Sequence, residues 1–167
     1  FLNFPKRKYD QDKGESLYRR SLYTFWRRSI GPPNLFDTPA RQVCTVRQSR
    51  TNTPLHALTL MNDTIYVESA RKFGERVMKE GGTTPEQRLA YAFRLATARV
   101  PNAAEQQVLL AGFQRTLKQY QSNREAALKL LSVGESRRDE RLDVVELAAY
   151  TTMANTLMNL DEVIAKE

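Results

Sequence analysis

From residue 53 onward, apolar positions recur at helical spacing between well-marked stops, and this pattern predicts a series of helices. Thr53 before Pro54 reads as a helix start, because proline suits the first helical position and a threonine hydroxyl accepts an otherwise orphaned N–H bond. Leu55, Leu58 and Met61 follow at helical spacing and predict a short core helix. Asp63 is expected to cap a second helix reaching about Glu80, with a buried stripe of Ile65 or Tyr66, Ala70, Phe73 and Val77, stopped by Gly81-Gly82. Four capping boxes come next: Thr84 with Gln87, Asn102 with Glu105, Ser122 with Glu125, and Asp143 with Glu146. The stripes behind them are Leu89, Ala92, Phe93 and Ala96, then Leu109, Gly112, Phe113, Thr116 and Tyr120, then Ala127, Leu128 and Leu131. The last helix is expected to carry Leu142, Val145, Ala149, Met153, Leu157, Leu160 and Ile164 on one face. Residues 134–142, rich in charge, read as a solvated hairpin loop.

The first third of the chain is patterned differently. Residues 1–14 hold Pro5, Gly14 and Lys6-Arg7-Lys8 without periodicity and read as an extended strip. From Glu15 to Ile30, Tyr18, Leu22, Phe25, Trp26 and Ile30 fall near one helical face beside the pairs Arg19-Arg20 and Arg27-Arg28. Such a helix suits a membrane surface, or stacking on bases or sugars, but a buried aromatic stripe covered by arginines is the commoner use. Gly31-Pro32-Pro33 stops it, and residues 31–52 read as a long ordered loop in which Val43–Val46 has no strand to pair with. The expected architecture is therefore all-α, an irregular bundle of about six to seven helices with a long ordered N-terminal loop. The division is residues 1–14 as the strip and 15–167 as a single helical domain, since 167 residues can bury a sufficient core.

Charge sharpens this division. The net charge of +7 resides in residues 1–50, which hold eleven Lys or Arg against four Asp or Glu, whereas residues 51–167 hold fifteen of each. A basic region of this kind suits an anionic lipid surface, nucleic acid, an acidic polysaccharide or an acidic partner domain. No helix-turn-helix, zinc-finger or RNP pattern accompanies it, so nucleic acid is the less expected partner. No run of about 18 apolar residues is present, so no membrane span is expected. The first residues lack both an initiator methionine and the apolar centre of a signal peptide, and are expected to be a cut from a longer protein.

Candidate chemistry is sparse. Cys44 is the only cysteine and stands in no CxxC or CxxCH context. His56, the only histidine, lies near it in sequence, but catalysis needs several positioned partners and no third group is signalled. No His/Cys/Asp/Glu set has metal-ligand spacing, and no glycine-rich phosphate cradle occurs. The candidate binding residues are Arg47, Arg50 and Asn52 of the long loop, with Tyr18 and Tyr23 from the stretch 15–30 and His56 from the short helix after the loop; the competing use of the loop arginines is to satisfy loop carbonyls and helix ends.

Several runs together resemble a known family: Leu17-Tyr-Arg-Arg-Ser-Leu-Tyr-Thr-Phe-Trp26, Val43-Cys-Thr-Val-Arg47, Arg50-Thr-Asn-Thr-Pro-Leu55 with Met61-Asn-Asp63, Ala92-Phe-Arg-Leu95, and Asn159-Leu-Asp-Glu162. They are similar to a planctomycete-specific domain of unknown function that ends large secreted proteins, often downstream of a c-type cytochrome domain. The resemblance runs from about Tyr9 to the C-terminus. It implies an exported, periplasmic or cell-surface setting, upstream domains of the same protein as partners, and c-type haem in a neighbouring domain rather than in this chain. It brings no activity with it. His56 stands where the family is expected to have glutamine, and Thr97-Ala-Arg99 where a glycine-arginine pair is usual, so a less sharply turned helix end is expected there.

Two functional expectations follow. One is a non-catalytic helical module that docks through its basic first third on neighbouring domains or an acidic or saccharide surface. The other is part of an enzyme or carbohydrate-processing site completed by upstream residues, with the arginine loop binding an anionic or sugar substrate.

Overall fold

In the computed structural model, the described residues are 13–18 and 54–164, with the side chains of Leu55 and His56 excepted. Within the first unit of the chain, residues 1–32, Gly14–Tyr18 forms a 3-10 helix. The remainder of the expected aromatic helix, the expected loop at 31–52 and Cys44 lie outside the described residues.

The second unit, residues 33–167, is all-α in its described part. Its helices are α1 (Pro54–Asn62), α2 (Thr64–Glu80), α3 (Pro85–Thr97), α4 (Ala103–Ser122), α5 (Arg124–Leu131), α6 (Val144–Met158) and α7 (Asp161–Ile164). Local chemistry explains most boundaries. Asp63 accepts the Ile65 N–H at 2.9 Å to start α2. The Thr84/Gln87 and Asn102/Glu105 boxes are both closed reciprocally, starting α3 and α4.

The other two boxes differ from expectation. Ser122 is still the last residue of α4, where its hydroxyl donates to Gln119 O, and α5 is capped instead by Asn123, which accepts from Ala126 N at 3.0 Å. A single residue serves as the end of one helix and the cap of the next. Asp143 does cap α6, accepting from Val145 and Glu146 N–H, but the Glu146 carboxylate does not return to it. Arg88 of α3 holds that carboxylate at 2.7 Å, and a charge-assisted bond outcompetes a neutral backbone donor.

Helix α6 is the axis of this unit and contacts each of the other six helices. It was expected to bury one face and run on to residue 164. Instead it is buried nearly all round, with Val144, Leu147, Ala148, Ala149, Tyr150, Thr151, Met153, Ala154 and Leu157 in the interior, and the chain turns at Asn159–Leu160 before α7. A helix surrounded by others has no need of a polar face. Its closest neighbour is α2: a Cβ at Gly74 would lie 3.1 Å from Thr151 N, so glycine lets the two backbones meet. Around α6 gather Val77, Leu89, Phe93, Phe113, Ala127 and Leu131, with the Phe113 and Tyr150 rings 4.5 Å apart between centroids.

Helix α1 is less buried than a core helix. Leu60 is interior, whereas Leu58 and Met61 are exposed, as is Ile65 on α2. Its attachment is polar: Asn155 Nδ2 donates to Met61 O at 3.1 Å and Asn159 Nδ2 to Ala57 O at 3.4 Å. The end of α3 is also sharper than expected, since Ala98 takes φ 62° and its N–H closes on Arg94 O at 2.9 Å. An alanine there performs the left-handed turn that glycine makes more cheaply.

Candidate functional site

One organised cluster of charged side chains lies on α2, where Glu68, Arg71 and Glu75 sit at i, i+3 and i+7 and are 4%, 1% and 6% exposed. Such a triad is interior only because residues 132–142 fold back over it. Arg71 Nη2 donates to Ser136 O at 2.5 Å and to Ser136 Oγ at 3.0 Å. The Glu68 carboxylate accepts from the N–H groups of Glu135 and Ser136, and Glu75 accepts from Asp139 N–H at 3.1 Å and Lys72 Nζ at 3.0 Å. Lys72 also donates to Arg137 O, and Lys79 meets Asp139 at 2.7 Å. The segment expected to be a solvated hairpin is therefore a strap, sewn to α2 by backbone amides and carbonyls. The Asp139 carboxyl is held below the usual carboxylate range by Arg141 and then Lys79. Directed bonds of this kind fix a loop, and the triad reads as a structural fastening.

The second organised place is a groove of about 710 Å³ bounded by the end of α3, α4, α6 and α7. Phe93, Leu109, Met153, Leu157 and Leu160 supply its apolar lining. Thr116, Thr152 and Thr156 also line it, and each hydroxyl donates to the carbonyl four residues back, so those protons are engaged within the helices. At one end Arg99 forks onto two carboxylates, meeting Glu105 at 2.7 and 2.9 Å and Glu162 at 2.7 and 2.8 Å, with its guanidinium 4.8 Å from the Phe93 ring centre. Arg99 and the Asn102 N–H together bring the Glu105 carboxyl down to about 2, and Arg99 lowers that of Glu162 as well. Asp161 adds a third carboxylate at that end. Ten residues further along α4, or about 15 Å at 1.5 Å per residue, Arg115 lines the opposite end and is exposed. The arrangement offers a hydrocarbon surface between an acidic and a basic rim, which suits packing and recognition.

Of the residues expected to form a site, Arg47, Arg50, Asn52 and Tyr23 lie outside the described residues. His56 falls within the helical span of α1, with its side chain outside the description. Tyr18 ends the 3-10 helix and is 54% exposed. The mutual geometry of these six also lies outside the described residues. Sequence reasoning missed the triad and the groove. The triad carried a local signal, in that three charges share one face with Gly74, a residue out of place in a solvated helix. The reach of Arg99 to Glu162 carried none, because the partners are 63 residues apart.

Among the described residues, no group of three or more His, Cys, Asp or Glu side chains is placed to hold a metal ion. No described helix is long and apolar enough to cross a membrane. No curated protein and no solved structure matches the chain. Residues 2–113, more than half of the chain, match the family described as PSD1, protein of unknown function (DUF1553), and the chain belongs to that family.

Proposed function

We propose that the chain is a non-catalytic helical module of a multi-domain exported protein, and that its basic first third docks it on neighbouring domains or on an acidic saccharide surface. The observation that carries this reading is the segregation of charge. All of the net +7 belongs to residues 1–50, while residues 51–167 balance to zero. In the described part of the second region, the guanidinium groups of the buried Arg71, the half-buried Arg88 and the exposed Arg99 are all engaged with carboxylates of the same unit. A polyanion is therefore attracted chiefly by the first third. The planctomycete setting, export and an upstream c-type cytochrome domain are supported by the resemblance of the quoted runs, and haem is assigned to that neighbouring domain.

The test is chromatography of the full 167-residue chain on immobilised dextran sulfate beside unmodified dextran. Retention on the sulfated matrix at low salt, with elution as salt rises, is expected. Reversing Lys6, Arg7 and Lys8 to glutamate is expected to advance elution much more than reversing Arg94, Arg124 and Lys129. Passage through the sulfated matrix at low salt, or equal shifts from the two triple variants, refutes the reading.

A further inference from the structure

We infer that the groove between α4 and α6 is a self-association surface, occupied by α4 of a second copy of this chain related by a two-fold axis. The surface is exposed and apolar at its centre. Val108 is 72% exposed on the groove wall, the largest exposure among the exposed large hydrophobic side chains of the described residues. One turn along the same stripe is the half-buried Gly112, where an added Cβ would be in ordinary contact with Met153 Cε and Sδ at 3.5 Å, so with no side chain there the surface of α4 is low beside the exposed valine.

The choice of occupant rests on charge. One end of the groove carries Glu105, Asp161 and Glu162 against Arg99, and the other carries Arg115. A surface that is acidic at one end and basic at the other is complementary to itself when turned through 180°. A two-fold axis crossing α4 midway between Val108 and Gly112 sets Val108 over Gly112 of the partner subunit. The same operation brings Ala104 level with Thr116 of the partner subunit and Glu105 level with Arg115 of the partner subunit. The apolar knob thus meets the low surface at the glycine, and each acidic end meets a basic end. A parallel pairing would instead set like charges together, which is unfavourable across an interface. Because the contact follows a single helix of about 30 Å, it belongs with small interfaces, and the dimer is expected to be weak and concentration-dependent.

Sedimentation velocity of the full chain over a wide concentration range provides the test. The weight-average mass is expected to climb from 19.2 kDa toward twice that value. Val108→Glu is expected to weaken the dimer about tenfold or more, with unchanged helicity and melting temperature because the side chain is exposed. Arg115→Glu is expected to weaken it by a similar factor, while Arg115→Lys keeps it within about threefold. A chain that stays monomeric at every concentration overturns the inference and leaves the groove to another occupant. A dimer indifferent to both Val108→Glu and Arg115→Glu overturns it equally, by placing association elsewhere on the molecule.

Discussion

Replacing Arg71 with methionine tests whether the strap over α2 is held by the buried triad. The methionine fills most of the aliphatic volume, so the loss is mainly electrostatic. Two things disappear. The charged donor to Ser136 O and Oγ is gone, and hydrogen bonds to charged groups contribute about 1.5–3 kcal/mol. Glu68 and Glu75, 4% and 6% exposed, also lose the cation between them, at 3.6 and 4.0 Å. Removing one partner of a buried ion pair costs about 3–5 kcal/mol. These two figures overlap and do not add. Glu68 retains two backbone amides, and Glu75 retains Lys72 and the Asp139 N–H, which favours the lower end. The expected loss is therefore about 3 kcal/mol. Urea denaturation followed by far-UV circular dichroism measures it as a lower midpoint at constant slope. Hydrogen exchange locates it, since the amides of Glu135, Ser136 and Asp139 should exchange much faster while those of α4 do not. A loss under about 1 kcal/mol, or protection of the three strap amides unchanged, would refute the argument.

Ala98→Gly should stabilise the protein by about 0.5–1 kcal/mol, since relief of the left-handed strain at φ 62° exceeds the entropy that glycine adds to the unfolded chain; a fall in melting temperature would count against it. Gly134→Ala should do the opposite by about 2 kcal/mol or more, because Gly134 has φ 94° and a Cβ there runs into the Glu68 carboxylate, itself tied to two amides. Thermal denaturation checks both. Acid stability should depend on the Arg99 fork. The folded-state pKa of Glu105, brought to about 2, lies below its ordinary 4.5, so its stabilisation is complete above about 4.5 and is lost as the pH falls toward 2. In Arg99→Gln the acid transition should begin at higher pH, and an unmoved transition would show that the fork does not contribute.

Helix boundaries were legible where a side chain satisfies a backbone group within its own turn. Asp63, Thr84, Asn102 and Asp143 cap helices in the structure because a cap needs nothing beyond three or four residues of chain. The apolar stripe of α3 and the buried positions Leu109, Phe113, Ala127 and Leu131 were legible for a related reason, since helical period fixes which residues share a face. Where two local signals competed, tertiary structure chose. Glu146 had both a backbone N–H and, 58 residues away, Arg88 within reach in the fold, and took the arginine.

What periodicity leaves open is how many faces of a helix its neighbours cover. The α6 sequence is compatible with a one-sided amphipathic helix, and only the surrounding helices make it a buried axis. The same reason hid the strap. Residues 134–142 read as solvated, and the charges at 68, 71 and 75 drew no expectation, because, taken one segment at a time, water is the cheapest partner of a charge. Once folded, each segment supplies the donors and acceptors that the other lacks. The groove likewise exists only as a space between helices: α4 carries Glu105 and Arg115, but Met153 and Leu157 of α6 and Asp161 and Glu162 of α7 are needed to complete the apolar floor and the acidic end. Local hydrogen-bonding and helical period were thus determined by the sequence alone. The partner of each buried charge, and the surface left for recognition, were decided by contacts between segments tens of residues apart.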